Sequence, residues 1–258
     1  MWGNDIIKKP KVLTIDIETT SHIGHFWGRR FETNIVEQVE YGKILSYAAK
    51  WLGKRVFVRG WIDFRKDKEK NLVKELWKLL DECEIVITQN GKSFDIKWCN
   101  AAFLRHNLPP PSPYKVIDTK VEAKKYLALP SYSLDNMADY FGVGRKMEHE
   151  GFSLWLKCAQ GDKNAWRRMK RYNARDVFLT EKVYLLLKPF IKSHPNIGLY
   201  AGKKVCTKCG SDKINSRGLE YTNSGIYRRV ICKSCGSWMR DFQNLNEIKQ
   251  YRSIWTKQ

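Results

Sequence analysis

Two matching Cys-x-x-Cys-Gly segments constrain the fold of this chain more than any other feature. They occupy residues 206–210 and 232–236, whereas the other three of the seven cysteines are isolated. Each segment places two thiols on one tight turn, and two such turns supply the four sulfur ligands of a tetrahedral zinc site. Two reduced pairs without metal, or a disulfide, are the alternative. We predict a zinc ribbon with one structural Zn²⁺, held by Cys206, Cys209, Cys232 and Cys235.

A change of pattern before the cysteines predicts where the chain divides. The segment 193–202 contains one proline and two glycines and has no hydrophobic periodicity. We therefore predict a first domain at residues 1–195 and a zinc-ribbon domain, ending in a helix, at residues 196–258. The second domain has about 60 residues, and a core that small usually needs a bound metal for stability.

The charge of the chain favours a polyanionic partner. It carries 47 Lys and Arg against 27 Asp and Glu, a net charge of +20, and residues 196–258 hold 12 basic and 4 acidic residues. A basic, aromatic-rich protein suits nucleic acid before an anionic membrane. Its 43% hydrophobic content is enough for a packed core, and its 13% aromatic content excludes a disordered basic tail. No run of about 18 apolar residues and no signal-peptide pattern occurs, so we expect a soluble, cytoplasmic protein without membrane contact.

Strand-like and helical patterns alternate from residue 11 to about 192, which predicts an α/β domain. Gly53 and Lys54 separate two strand-like runs and predict a hairpin with a two-residue connection. The chain from residue 119 to about 190 is predicted to be helical. Strands are expected at 11–17, 44–52, 55–61, 84–88 and 116–118, and helices at 72–80 and 94–106.

Acidic residues with a suggestive spacing occur at three places in the first domain. Asp16 and Glu18 lie two residues apart at the end of the first strand, so their side chains share one face. Asp95 stands at the entrance to a helix. Tyr172 and Asp176 are four residues apart and share one face of a later helix. If these elements converge, four carboxylates and a phenol meet in one cleft.

Such a cleft has a definite chemistry. Four convergent carboxylates raise one another's pKa unless cations lie between them. Oxygen ligands select Mg²⁺ or Mn²⁺ over zinc. Two such ions about 3.5–4 Å apart activate a water and stabilise the leaving oxygen in phosphodiester cleavage. We therefore predict two Mg²⁺ or Mn²⁺ ions and metal-assisted phosphodiester hydrolysis.

The motifs also resemble those of a known family. Residues 16–19 read Asp-Ile-Glu-Thr, residues 90–95 read Asn-Gly-Lys-Ser-Phe-Asp, and residues 172–176 read Tyr-Asn-Ala-Arg-Asp. This series resembles the three motifs of the DEDDy 3′→5′ exonucleases. Its first two motifs are similar in sequence to those of the proofreading domains of family B DNA polymerases. The sister group has a histidine five residues before the last aspartate, where Arg171 stands here. The resemblance covers roughly residues 11–190 and implies a ribonuclease H-like mixed sheet flanked by helices.

The resemblance also implies a role for each candidate catalytic residue. Asp16, Glu18 and Asp176 hold the first metal, and Asp16 bridges to the second. Asp95 reaches the second metal directly or through water. Tyr172 orients the attacking water and does not act as a strong base, since a phenol pKa of about 10 keeps it protonated.

A metal-dependent 3′→5′ exonuclease acting on single-stranded 3′ ends, with DNA favoured over RNA, is the function that the resemblance implies. No polymerase domain follows, so we expect a free-standing enzyme of a kind often carried by phages, and then located in the host cytoplasm. An exoribonuclease that trims RNA 3′ ends shares every catalytic feature. A non-catalytic zinc-ribbon adaptor is the other alternative. The ribbon is expected to bind nucleic acid or a replication or repair protein.

Six further residues are candidates for nucleic-acid contact. Three arginines form a stripe on the predicted helix near residue 170, and they suit phosphate binding or, alternatively, form a solvated charged face. Two aromatic residues after the first motif suit stacking on bases or, alternatively, packing in the core. With the asparagine that opens the second motif, the predicted contacts are Arg168, Arg171, Arg175, Phe26, Trp27 and Asn90.

Overall fold

A computed structural model describes residues 9–27, 35–62, 69–202 and 204–247 of the chain. Its contacts divide the chain into two compact units, one formed by Lys11–Tyr184 and the other by the remaining residues at both ends. The domain boundary predicted at residues 195/196 lies within the second unit and stays a prediction. Among the described residues, no helix is long and apolar enough to span a membrane.

The first unit combines strands and helices, as the sequence predicted, but the two alternate only over residues 69–126. Its strands are β1 (Val12–Thr19), β2 (Ile23–His25), β3 (Glu37–Glu40), β4 (Ile44–Trp51), β5 (Val58–Trp61), β6 (Ile85–Thr88) and β7 (Lys115–Asp118). Its helices are α1 (Glu69–Glu82), α2 (Asp95–Arg105), α3 (Thr119–Tyr126), α4 (Leu134–Tyr140), α5 (Phe152–Ala159) and α6 (Lys163–Leu187), which continues past Tyr184.

A mixed five-stranded sheet, in the order β5-β4-β1-β6-β7, organises the first unit. Strand β1 pairs antiparallel with β4 and parallel with β6, and β6 pairs parallel with β7. The central position of β1 explains why Leu13, Ile15 and Ile17 are almost completely buried. The predicted mixed sheet with flanking helices is confirmed.

The predicted hairpin between β4 and β5 is confirmed in its pairing and wrong in its connection. The two strands are antiparallel, with Ser46 opposite Trp61 and Ala49 opposite Val58. The second strand begins at Val58 and not at residue 55, so six residues connect the strands instead of two. Val56 lies in this connection and is 75% exposed.

Two contacts hold α6 against β4 and so set the position of the helix along the sheet. Ser46 Oγ donates to Asn173 Oδ1 at 3.4 Å, and Lys50 Nζ forms a buried ion pair with the Glu181 carboxylate at 2.6 Å. Four residues along a strand span about 13 Å, and eight residues along a helix span about 12 Å. Both contacts can therefore form together only when α6 lies at this position along β4.

The second unit contains a small antiparallel sheet. Its elements are a short helix α7 (Gly198–Ala201), strands β8 (Ile214–Tyr221), β9 (Ile226–Cys232) and β10 (Trp238–Arg240), and a 3₁₀ turn at Leu245–Glu247. The strand order is β10-β9-β8. The predicted carboxyl-terminal helix falls on residues 248–258, which lie outside the described residues.

Candidate active site

Three carboxylates converge where the end of β1 meets α6. Asp16 and Glu18 are on β1 and Asp176 is on α6, and one ligand oxygen of each lies within 4.8 Å of the others. The alternation of strand side chains places the first two on one side of the sheet. The register of α6 on β4 brings the third to them. Carboxylate oxygens this close together suit a hard divalent cation.

The fourth predicted carboxylate, Asp95, lies next to this group but outside it. It is the first residue of α2 and is only 4% exposed. Its Oδ1 accepts a hydrogen bond from the Ile17 backbone amide at 3.0 Å. Ile17 separates Asp16 from Glu18 on β1, so this bond holds Asp95 against the same short stretch of strand.

Burial and mutual repulsion make these carboxylates hard to ionise. Burial, followed by the charges of Glu18 and Asp176, raises the pKa of Asp16 well above its usual value. Burial and the Asp176 carboxylate raise the pKa of Glu18 to about 8. Burial raises the pKa of Asp95 to about 7, against the opposing effect of the Ile17 hydrogen bond. Cations between the groups would restore their charged form.

The two oxygens of Asp176 have different surroundings. Oδ2 lies 2.7 Å from Lys146 Nζ in an ion pair. Oδ1 is buried and has no hydrogen-bond partner among the described residues. A buried carboxylate oxygen without a donor costs free energy unless a cation or an ordered water occupies its lone pairs. A carboxylate with one unsatisfied oxygen, grouped with two other carboxylates, fits a divalent metal.

Tyr172 lies one helical turn before Asp176 and is almost completely buried. Its ring packs edge-on against His149 at 4.8 Å and against Trp155 at 5.9 Å between ring centres. Trp155 in turn donates its indole N–H to Glu18 Oε2 at 3.2 Å. The Trp155 ring therefore connects Tyr172 on α6 with the Glu18 carboxylate on β1.

Asn173, Lys146 and Trp155 belong to the site, and the sequence analysis assigned a role to none of them. Asn173 donates from Nδ2 to Asp16 Oδ2 at 2.5 Å and to the Asp16 backbone carbonyl at 3.1 Å. Its place beside Tyr172 in the third motif was a signal that could have found it. Lys146 comes from an irregular segment after α4, where no periodicity pointed to it.

The predicted arginine stripe lies on α6, and two of its members contact other parts of the chain. Arg175 donates from Nε to the Arg145 carbonyl at 2.9 Å, so it holds the segment that carries Lys146. Arg168 forms an ion pair with Glu150 at 3.0 Å, and the side chain of Arg171 is exposed. Their contact with nucleic acid stays a prediction.

The other predicted nucleic-acid contacts differ in their surroundings. Phe26 and Trp27 are 62% and 76% exposed, so the alternative of core packing is wrong.

Asn90 has a positive φ of 65°, which asparagine tolerates better than most residues. Its backbone amide, like that of Lys92, donates to the buried Asp118 carboxylate at 3.0 Å. Asp118 thus shapes the loop that leads to Asp95.

The four cysteines of the second unit lie on two similar turns, and their sulfur atoms form one cluster. Their sulfur atoms lie within 4.8 Å of one another, with Cys206 to Cys235 at 3.6 Å and Cys209 to Cys232 at 3.7 Å. Metal–sulfur bonds of about 2.3 Å at tetrahedral angles require sulfur atoms about 3.8 Å apart. The described cysteines are all free thiols. The glycines that follow the turns, Gly210 and Gly236, both have a positive φ near 74°. The geometry fits a four-thiolate metal site and a zinc-ribbon module.

Comparison with known proteins agrees with the fold. A family model of the RNase H superfamily matches residues 13–188. The chain belongs to the RNase H superfamily. The family B DNA polymerase from the hyperthermophilic archaeon Pyrobaculum calidifontis is similar in structure, with a TM-score of 0.53 and 15% identity over 83% of this chain and 31% of the polymerase chain. No curated protein matches the chain. Membership of the RNase H superfamily supports nuclease activity, which needs a divalent metal and a nucleic-acid substrate, and confirms the fold predicted for residues 11–190.

Proposed function

We propose that the chain is a metal-dependent 3′→5′ exonuclease of the DEDDy type that acts on single-stranded nucleic acid, with DNA favoured. The observation that carries the proposal is the convergence of Asp16, Glu18 and Asp176 within 4.8 Å, with one oxygen of Asp176 buried and unsatisfied. Asp95 against the same strand and Tyr172 on the same helix complete the set.

In this proposal the four carboxylates are the metal ligands. Asp16, Glu18 and Asp176 would hold one Mg²⁺ or Mn²⁺, and Asp16 with Asp95 would hold the second. Bound divalent ions supply an activated water and charge stabilisation at the leaving oxygen. Asn173 positions Asp16 through its side-chain hydrogen bond. Trp155 positions Glu18 in the same way.

Tyr172 provides a hydroxyl that stays protonated. Burial, followed by the Asp176 charge, raises the pKa of Tyr172 above that of free tyrosine. A protonated phenol donates or accepts a hydrogen bond but does not remove a proton, so its role is to orient the attacking water. Lys146 compensates the charge of Asp176 beside it.

Zinc is the metal proposed for the four cysteines. Four thiolates in a tetrahedral arrangement leave no open position for water, so this ion would stabilise the ribbon and take no part in hydrolysis. A ribbon of this kind would serve nucleic-acid binding, or docking on a replication or repair protein.

Cleavage of end-labelled oligonucleotides tests the proposal. With Mg²⁺ or Mn²⁺, a 5′-labelled single strand should shorten one nucleotide at a time, and a 3′-labelled strand should release its label first as a mononucleotide. DNA and RNA versions measured in parallel distinguish the preferred sugar. Asp16→Ala should abolish cleavage, whereas Glu82→Gln, which changes an exposed carboxylate on α1, should not. Activity that persists in Asp16→Ala, or endonucleolytic products, would refute the proposal.

A further inference from the structure

The solvent face of the small sheet in the second unit carries two reciprocal pairs of arginine and aromatic side chains. The guanidinium of Arg229 on β9 lies 5.1 Å from the ring centre of Trp238 on β10. That of Arg240 on β10 lies 4.5 Å from the ring centre of Tyr227 on β9. Each arginine therefore leans across to the aromatic residue of the neighbouring strand.

The register of the two strands places the arginines side by side. Arg229 and Arg240 are directly opposite each other in the antiparallel ladder, and both are exposed. Like charges directly opposite on one face of a sheet are destabilising. One acid, Glu220, lies 3.9 Å from Arg240 as an exposed ion pair, and such pairs contribute little. The pair of cations is thus an arrangement that an anion would stabilise.

A β-bulge holds one of these arginines in place. The pairing of β8 with β9 shifts register between Ser216 and Leu219. At this bulge the Arg217 carbonyl accepts a hydrogen bond from Arg229 Nε at 3.1 Å. Bulges commonly redirect side chains in this way. The contact leaves the flat guanidinium of Arg229 preorganised beside the Trp238 ring.

The opposite face of the same sheet has a different composition. Side chains alternate along a strand, so Val230 and Met239 point away from the arginine pairs. They line a cavity with Ile214 and Val205, within the second unit, and Arg240 also borders this cavity. Arg228 and Tyr221 also belong to this opposite side by alternation and register. One face therefore carries both arginine–aromatic pairs, whereas the other combines the apolar cavity lining with the exposed side chains of Arg228 and Tyr221.

We propose that the face formed by Tyr227, Arg229, Trp238 and Arg240 binds single-stranded nucleic acid. The two adjacent arginines contact a phosphate, and the flanking rings stack on bases. Stacking on aromatic side chains combined with cationic contact to the backbone is how sequence-tolerant single-strand binding works. The excess of 12 basic over 4 acidic residues in residues 196–258 matches a polyanion. The residues of this face are not those of the carboxylate cluster, and binding to this face does not require cleavage.

Neighbouring residues on the two faces allow a matched test. The full chain is titrated with a fluorescein-labelled oligothymidylate longer than the footprint of about 4–16 nucleotides typical of a single-strand-binding module, without Mg²⁺ or Mn²⁺ and at several salt concentrations. Arg229→Ala and Arg228→Ala remove the same charge from adjacent positions. The proposal expects Arg229→Ala to weaken binding more and to lower the salt slope by about 0.7 per lost phosphate contact.

The aromatic variants test the stacking part. Trp238→Ala and Tyr227→Ala should each weaken binding about tenfold without changing the salt slope, whereas Tyr221→Ala should bind like the unaltered protein. Unchanged zinc content shows that each variant ribbon is folded. If Trp238→Ala loses zinc, the two arginine variants at exposed positions decide the question.

Equal effects of Arg228→Ala and Arg229→Ala, or unchanged binding in both aromatic variants, would overturn the proposal. The second result would leave a protein as the partner of the ribbon. Because the readout is binding without cleavage, failure here leaves the exonuclease proposal untouched, and failure of cleavage leaves this proposal standing.

Discussion

The Nζ of Lys146 lies 2.7 Å from Oδ2 of Asp176 and 4.8 Å from the centre of the Tyr172 ring. One cation therefore contacts two of the three residues that α6 contributes to the candidate site, Tyr172 and Asp176, the third being Asn173. Asp176 is only 2% exposed, so its charge depends on this partner when no metal is bound. The contact makes Lys146 a positioning residue of the proposed active site.

Lys146→Met should lower kcat by about 100-fold, because the Asp176 carboxylate loses the contact that sets its orientation and small misplacements of catalytic groups are costly. KM should change little, since the substrate strand does not depend on this ion pair. Steady-state cleavage of a labelled oligonucleotide measures both constants. Lys157→Met removes an exposed lysine of α5 and is the matched control. A rise in KM at constant kcat would instead make Lys146 a substrate-binding residue.

Tyr172→Phe removes one hydroxyl and keeps the ring that packs on His149 and Trp155. We expect kcat to fall by about 100-fold, in the range found for groups that assist proton transfer or orient water. Binding of a single strand, measured by fluorescence anisotropy, should be almost unchanged. Tyr140→Phe, on an exposed ring of α4, controls for loss of a phenol elsewhere. Full activity in Tyr172→Phe would exclude the proposed role of the hydroxyl.

The stability of the metal-free protein should fall as the pH rises from about 5 to 8. Glu18 has a usual pKa of 4.5 and a folded pKa of about 8, so between these values the folded state holds a proton that the unfolded state has lost. The unfolded state then binds fewer protons, and the free energy of unfolding decreases with pH. Mg²⁺ should offset this loss, and its stabilising effect should grow with pH.

Melting temperatures measured across this pH range, with and without Mg²⁺, test the expectation. Glu18→Gln has no titrating group at this position and should flatten the metal-free dependence. A metal-free melting temperature that increases steadily up to pH 8 would contradict the raised pKa values of the carboxylates.

One equivalent of zinc per chain is expected in protein purified without a chelator, because the four sulfur atoms have the separation that a tetrahedral ion requires. Elemental analysis measures it. Cys206→Ser should lose most of the metal, whereas Cys158→Ser, in the core of the first unit, should keep it. Less than half an equivalent in the unaltered protein would count against the site.

A fragment of residues 1–195 should fold and cleave very short single strands, since it contains the whole sheet and the carboxylate cluster. Its affinity for long strands should be lower, and its salt dependence flatter by about 0.7 in slope for each lost phosphate contact. Circular dichroism measures whether the fragment is folded, and binding titrations at several salt concentrations measure its affinity and salt slope. An unfolded fragment would refute the predicted domain boundary.

The sequence by itself determined the elements whose evidence is local. Spacing of two residues along a strand put Asp16 and Glu18 on one face, and spacing of four along a helix did the same for Tyr172 and Asp176. The four-cysteine cluster could be predicted from the sequence, because each of its two turns is formed by five consecutive residues. The strand and helix patterns, together with the motif resemblance, were sufficient to predict the fold.

Only the tertiary structure decided which distant residues support these groups. Asn173 reaches Asp16 because the contacts of Ser46 and Lys50 with α6 set the helix in one register on β4. Lys146 reaches Asp176 from an irregular segment. On the small sheet, the pairing of Arg229 with Trp238 depends on strand register. Periodicity describes faces within one element, whereas contacts between elements depend on packing and register that no local pattern contains.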